Sequence, residues 1–244
     1  MGFGHYLYGI FPAPGPAHLV LTGLDKQPVH AQAIDDFVFL YSEAQQERYL
    51  ASRKNLLGHE RVLEEAMDHG YRTLLPLQFG LIIETWESVQ EQLLNPQGEQ
   101  LRHLFAHLNG RREVGIKITW ETDRELEMLM EENASLREER DSLEGKTLSM
   151  DEVVRIGQAI EQAMDNRKET VMDEFRNVLN PLAVAIAEND PLTESMIYNA
   201  AYLIPWDTEP TFGENVEALD HHFEGRLKIR YNNFTAPFNF AQLE

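Results

Sequence analysis

Val114-Gly115-Ile116-Lys117-Ile118-Thr119-Trp120 alternates apolar with small or polar side chains, so its apolar members share one face of a half-buried strand. The residues that follow fix how the strand is used. Thr122-x-x-Glu125 and Ser149-x-x-Glu152 are capping-box signatures for two helices, the second running to about Leu179. Leu182–Ala187 and Met196–Ile204 read as strands divided by the turn Glu188-Asn189-Asp190-Pro191. Thr211-x-x-Glu214 opens a last helix with Val216, Leu219 and Phe223 facing inward and Gly225 stopping it. Leu227, Ile229 and Tyr231 then alternate with Lys228 and Arg230 as a closing strand. The order β-α-β-β-α-β is the split pattern of a ferredoxin-like sandwich, an architecture that hosts many unrelated activities and assigns none.

The first crossover of that pattern needs one helix, yet two precede the second strand. Thr122–Glu144 is very acidic and carries Leu126, Leu129, Leu136 and Leu143 near heptad spacing, with Asn133 and Arg140 interrupting the seam. A coiled coil sustains apolar a and d positions over about three or four heptads, which this stretch hardly reaches. It is expected to fold back as a helical hairpin with Val153–Leu179, Gly145 separating the two, so that residues 121–149 form a helical insertion. Its second reading is a partner-binding extension.

Upstream, Asn109-Gly110-Arg111-Arg112 ends a helix, Glu99–Leu108, whose Leu101, Leu104, Phe105 and Leu108 form one apolar stripe. We place a domain boundary there, giving an N-terminal α+β domain (1–110) and a ferredoxin-like domain (111–244) within an α+β chain. In the first domain, His5–Phe11, Ala17–Thr22, Val29–Ile34 and Phe37–Tyr41 read as strands, with Pro12–Pro16 enforcing a loop. Ser42 with Gln45 reads as a capping box for a helix that weakens near Gly58 and ends at Gly70. Thr73–Ile83 looks extended around Pro76. A helix over Glu84–Leu94 precedes the turn Asn95-Pro96-Gln97-Gly98.

The 244 residues carry 41 acids against 21 lysines and arginines, a net charge of −20. Such a surface repels phosphate backbones and anionic bilayers, so neither nucleic acid nor a lipid membrane is an expected partner. No apolar stretch approaches the roughly 20 residues that span a bilayer, and the N-terminus has no basic region leading into an apolar run, so no signal peptide is expected. The absence of cysteine removes disulfides, thiolate nucleophiles and cysteine-based metal sites, and it fits a cytoplasmic protein.

Catalytic signatures are missing. His103 and His107 are spaced i, i+4, as two imidazoles sharing zinc would be, but no His-Glu-x-x-His surrounds them and they read as surface residues. His221 and His222 point to different faces of their helix. Nucleotide-binding loops and nucleophile elbows are absent, so no catalytic residue, metal ligand or cofactor is assigned. Two features remain as contact surfaces. In a ferredoxin-like sheet the first and last strands are neighbours, which sets Lys117 and Thr119 beside Lys228 and Arg230 as a small basic strip on the open face. The tail gathers Tyr231, Phe234, Phe238 and Phe240 around Pro237; side chains that each bury about 150–250 Å² should dock on something. Lys117, Lys228, Arg230, Phe238 and Phe240 are accordingly the candidate partner-binding residues.

Several segments together resemble the gas vesicle protein F/L family. Tyr6-Leu7-Tyr8-Gly9-Ile10 resembles its opening strand, and Leu75-Pro76-Leu77-Gln78-Phe79-Gly80 its Leu-Pro-x-Arg-Phe-Gly segment, with Gln78 where arginine is usual. Val114-Gly115-Ile116-Lys117 resembles the strand opening the family's second domain, and Asn199-Ala200-Ala201-Tyr202-Leu203-Ile204 its Asn-x-Ala-Tyr-Leu-Val strand. Thr235–Phe240 is similar to the family's proline-rich aromatic ending but keeps one proline and lacks its tryptophan. The resemblance implies a non-enzymatic accessory protein of gas vesicle assembly, located at the gas vesicle and in the cytoplasm. It also implies the small hydrophobic shell protein, together with other minor gas vesicle proteins, as partners. A ferredoxin-like small-molecule-binding or regulatory protein is the alternative.

Overall fold

A computed structural model describes residues 3–143, 149–223 and 225–242. Its mixed α+β chain divides into two compact units, each discontinuous in sequence. One comprises Met1–Val114, Tyr202–Glu209 and Asn232–Glu244; the other comprises Gly115–Ala201 and Pro210–Tyr231.

The first unit is built on β1 (His5–Pro12), whose Tyr6–Phe11 are all buried, as a central strand covered on both faces must be. It pairs antiparallel with β3 (Phe37–Glu43), from His5↔Glu43 to Pro12↔Phe37, and the register shifts between Leu7 and Gly9. A tight turn joins β3 to β2 (His30–Ile34), with Asp35 in the left-handed region that aspartate tolerates. Along its other side β1 meets two short pieces, β4 (Leu75–Pro76) and β5 (Ile82–Ile83). Helix α1 (Arg53–Asp68) lays Val62, Leu63, Ala66 and Met67 into a core with Tyr6, Tyr8 and Phe11. The approach is close: a Cβ on Gly9 would stand 2.8 Å from the Leu63 side chain. Gly70, at φ +95, terminates α1 as its left-handed C-cap position suggests.

Several expectations for this half are corrected. Ala17–Thr22 is no strand; it contributes an isolated bridge, Thr22↔Pro28. Ser42 caps nothing, because β3 continues through it and its buried hydroxyl bonds Tyr8 at 2.8 Å; Ser52 caps α1 instead, through Asn55 N–H. Gly58 does not interrupt α1. The turn at Asn95–Gly98 is also absent: α2 (Trp86–Val89) passes through a π-helical turn, Gln90–Leu94, into α3 (Asn95–Leu108). Pro96 is tolerated because it falls in the first turn of α3.

The second sheet has the order β7-β8-β6-β9, built from β6 (Arg111–Trp120), β7 (Ala185–Glu188), β8 (Met196–Pro205) and β9 (Leu227–Thr235). Val114, Ile116 and Ile118 are fully buried, as their alternation requires. The acidic stretch forms two helices, α4 (Thr122–Glu132) and α5 (Ala134–Leu143), rather than one. Asn133 breaks it, leaving helical geometry and using its side-chain oxygen to accept Leu136 N–H. Leu129, Met130 and Leu136 pack with Ile156, Ile160 and Met164 of α6 (Met150–Leu179), the expected hairpin. Gly145 and the side chain of Leu143 lie outside the described residues.

Of the three capping boxes read in this half, Ser149/Glu152 forms with both of its hydrogen bonds. Thr122 does not cap α4; Glu125 is drawn into the interior by arginines instead. Helix α7 (Glu209–His222) begins two residues before Thr211, continuing a 3-10 turn at Trp206–Thr208.

Candidate functional site

β6 and β9 are neighbours, and the Thr119 hydroxyl donates to the Lys228 carbonyl at 3.4 Å. Lys228 and Arg230 are exposed and Lys117 half-buried; none of the three joins an ion pair among the described residues. Of the tail residues, Phe238 packs on the first unit's core beside Phe234, Trp206 and the fully buried Ala236, while Phe240 is half-buried. Trp206 is held between two cations, with the Arg72 and Arg112 guanidiniums each 4.3 Å from the ring centre.

The tail is fastened by a residue that alternation does not single out. Glu113 is 4% exposed, and its carboxylate accepts the Asn239 backbone N–H at 2.9 Å and the Asn239 side-chain N–H at 2.6 Å. Burial pushes this carboxyl up to about 7, against the two hydrogen bonds, which pull it down. Phe238, Ala241 and Gln242 of the same tail wall one side of an open groove of about 740 Å³.

Two further buried polar groups carry structural duties. Tyr6 donates to His59 Nδ1 at 2.9 Å, His59 Nε2–H donates to the Leu77 carbonyl at 3.1 Å, and Gly80 N–H donates to the Tyr6 hydroxyl at 3.1 Å. With both nitrogens engaged and burial lowering its pKa to about 4, His59 is a neutral strut that holds the segment 77–80 against β1. Its position, on the stripe of Val62, Leu63 and Ala66, marks it as a core histidine. In the second unit, Glu125 is 1% exposed and receives Arg167 at 2.7 Å and Arg226 at 2.7 and 3.0 Å. Burial alone would raise its pKa, but the hydrogen bonds from Arg226 and Arg167 outweigh it and hold the carboxylate below its ordinary range.

His103 and His107 are exposed on α3, and Arg111 reaches the His107 ring at 3.1 Å; His222 pairs with Glu174 at 3.2 Å. No group of three or more histidine, aspartate or glutamate side chains among the described residues could hold a metal ion. No helix among them is long and apolar enough to cross a membrane.

The fold so far described, a mixed α+β chain of two antiparallel sheets with a fastened aromatic tail and an open groove, assigns no activity by itself. Comparison with known proteins supplies the family. A family model for "Gas vesicle synthesis protein GvpL/GvpF" matches residues 4–242. The chain is 57% identical over 239 residues to gas vesicle protein F of Dolichospermum flosaquae, covering 98% of each, and 56% identical over 243 residues to that of Nostoc sp. (strain PCC 7120 / SAG 25.82 / UTEX 2576), covering 100% of each. The crystal structure of the gas vesicle protein GvpF from Anabaena sp. PCC7120 superposes with a TM-score of 0.92 at 56% identity, over 99% of both chains. The chain belongs to the GvpL/GvpF family, and its role is in gas vesicle formation.

Proposed function

We propose that this chain is a non-enzymatic assembly factor that binds the small hydrophobic shell protein and delivers it to the growing vesicle, in the cytoplasm and at the vesicle itself. The observation that carries this reading is full-length membership of a gas vesicle synthesis family. The physical case is simple. A subunit with a large apolar face aggregates before it reaches a shell, and a partner of net charge −20 that covers the face keeps the pair in solution. Lys117, Lys228 and Arg230 on the sheet, with Phe238 and Phe240 on the tail, are the proposed contact residues, and other minor gas vesicle proteins are further candidate partners. We also read residues 111–244 as a ferredoxin-like domain following an N-terminal α+β domain, 1–110. The order β7-β8-β6-β9 supports this, being the side-by-side order of strands 2-3-1-4 in a β-α-β-β-α-β unit.

Co-elution tests the reading. Shell protein refolded with an equimolar amount of this chain should emerge from gel filtration as a soluble complex. Shell protein found entirely in the void volume or pellet, with this chain eluting alone, would overturn it.

A further inference from the structure

We propose that the outward face of α1, in the first unit, docks an acidic amphipathic helix of a partner protein. Residues 48–61 carry Arg48, Arg53, Lys54 and Arg61 against the single carboxylate of Glu60, in a chain whose 41 acids outnumber its 21 lysines and arginines. All four cations are exposed, and none of them joins an ion pair among the described residues.

Apolar surface lies among these charges. Leu57 is 48% exposed. Arg53 and Arg61 stand four residues before and after it and Lys54 three before, so helical spacing sets all three beside Leu57. The opposite side of α1 buries His59, Val62, Leu63, Ala66 and Met67, which leaves this ridge to solvent. Leu56, 40% exposed, borders it. Leu50, 75% exposed, is held at the same end of the helix by its carbonyl, which accepts Ser52 N–H at 2.8 Å and the Asn55 side-chain N–H at 2.9 Å. Beyond Arg61 the helix turns acidic with Glu64, Glu65 and Asp68, so the patch is confined to its first turns.

The position of the cations is itself unusual. The N-terminal end of a helix is electropositive and favours carboxylates. Helices α4 and α6 obey, opening on Asp123 with Glu125 and on Asp151 with Glu152, whereas α1 opens on Arg53 and Lys54 with no acid in its first turn. A local rule broken without an ion pair to offset it marks a functional surface. Carboxylates brought by a partner would supply that offset.

The same surface selects the form of the occupant. A helix hydrogen-bonds its own backbone and offers no ladder to an added strand, so the Arg53-Leu57-Arg61 ridge is met by the groove of a second helix. An apolar stripe on that helix covers Leu57, and carboxylates flanking the stripe face Arg53, Lys54 and Arg61. An anionic bilayer has the matching charge but is repelled by the remainder of a chain of net charge −20.

The test uses designed probes without any gas vesicle sequence, so its outcome is independent of the assembly role proposed above. A fluorescent 18-residue Leu/Glu peptide patterned as an amphipathic helix is titrated into the full chain at 150 mM salt. A same-composition scrambled peptide, a Leu/Lys version of the helix and phosphatidylglycerol vesicles are titrated alongside. Saturable binding of the Leu/Glu helix is expected, weakened about tenfold by Leu57→Asn and about tenfold by Arg53→Gln with Lys54→Gln. Arg155→Gln, which removes an exposed cation of the second unit, should leave it unchanged. All of the substituted positions are exposed, and unchanged circular dichroism verifies the fold of each variant. Binding of the scrambled peptide within about twofold of the patterned one, equal binding of the Leu/Lys helix, or indifference to Leu57→Asn would each overturn the proposal. Vesicle binding that the same variants abolish would overturn it in favour of a lipid surface.

Discussion

Glu113 should make the first unit less stable as pH rises through the range where most carboxylates are already ionised. Its folded pKa of about 7 lies above the ordinary 4.5, so between those values the folded chain retains a proton that the unfolded chain has released. Stability therefore falls with rising pH across that window and levels off above it. At about 1.36 kcal/mol for each tenfold change in proton affinity, the full loss is ~3 kcal/mol. The Glu113→Gln variant keeps the shape and removes the titration. Urea unfolding followed by tryptophan fluorescence, with Trp206 reporting from the same unit, gives the stability of both proteins at several pH values. The difference between Glu113→Gln and wild type should grow in favour of the variant by about 2–3 kcal/mol from pH 5 to pH 8. Asn239→Ala removes the side-chain hydrogen bond that favours the ionised form, leaves the backbone one in place, and should move the window upward. A wild-type-to-variant difference constant within about 0.5 kcal/mol over that range would refute the reasoning.

Other perturbations have equally definite outcomes. Arg226→Met leaves Glu125 buried with one arginine fewer and should cost about 3–5 kcal/mol by chemical denaturation, whereas changing the exposed Arg102–Asp36 pair should cost under about 1 kcal/mol. Tyr8→Phe orphans the Leu24 N–H and the Ser42 hydroxyl, which it contacts at 2.8 Å each, and should cost about 1–3 kcal/mol in the same assay. His59 acts in the sense opposite to Glu113. Its pKa is lowered to about 4 from 6.5, so stability falls as pH drops through that window, and His59→Gln should flatten the acid limb of the profile.

Strands were legible wherever one face is buried, since Val114–Trp120 and Leu227–Tyr231 state their faces by alternation alone. Helix starts were less so, because a capping box specifies local residues while distant partners compete for them. Ser149 and Glu152, adjacent on the first turn of α6, form the box. Glu125 is taken by Arg226, 101 residues away, and Ser42 by Tyr8, 34 residues away. The continuous passage from α2 to α3 hid behind Pro96 and Gly98, which read as a turn but are accommodated by the π-helical segment before them. The adjacency of β6 and β9 could be placed from strand order, because it depends on topology alone. The Glu113–Asn239 fastening could not: its partners are 126 residues apart, and Glu113 and Val114 are both buried, against simple alternation. The groove is likewise a product of β4 and β5 being interrupted between short pairings, which no local pattern announces.

The assembly role itself is tested most directly by light scattering as denatured shell protein is diluted into buffer with and without this chain. The account predicts that an equimolar amount suppresses or markedly delays the rise in scattering, while an unrelated protein of similar size and net charge does not. An unchanged rise, or equal protection by the charge-matched control, would contradict it.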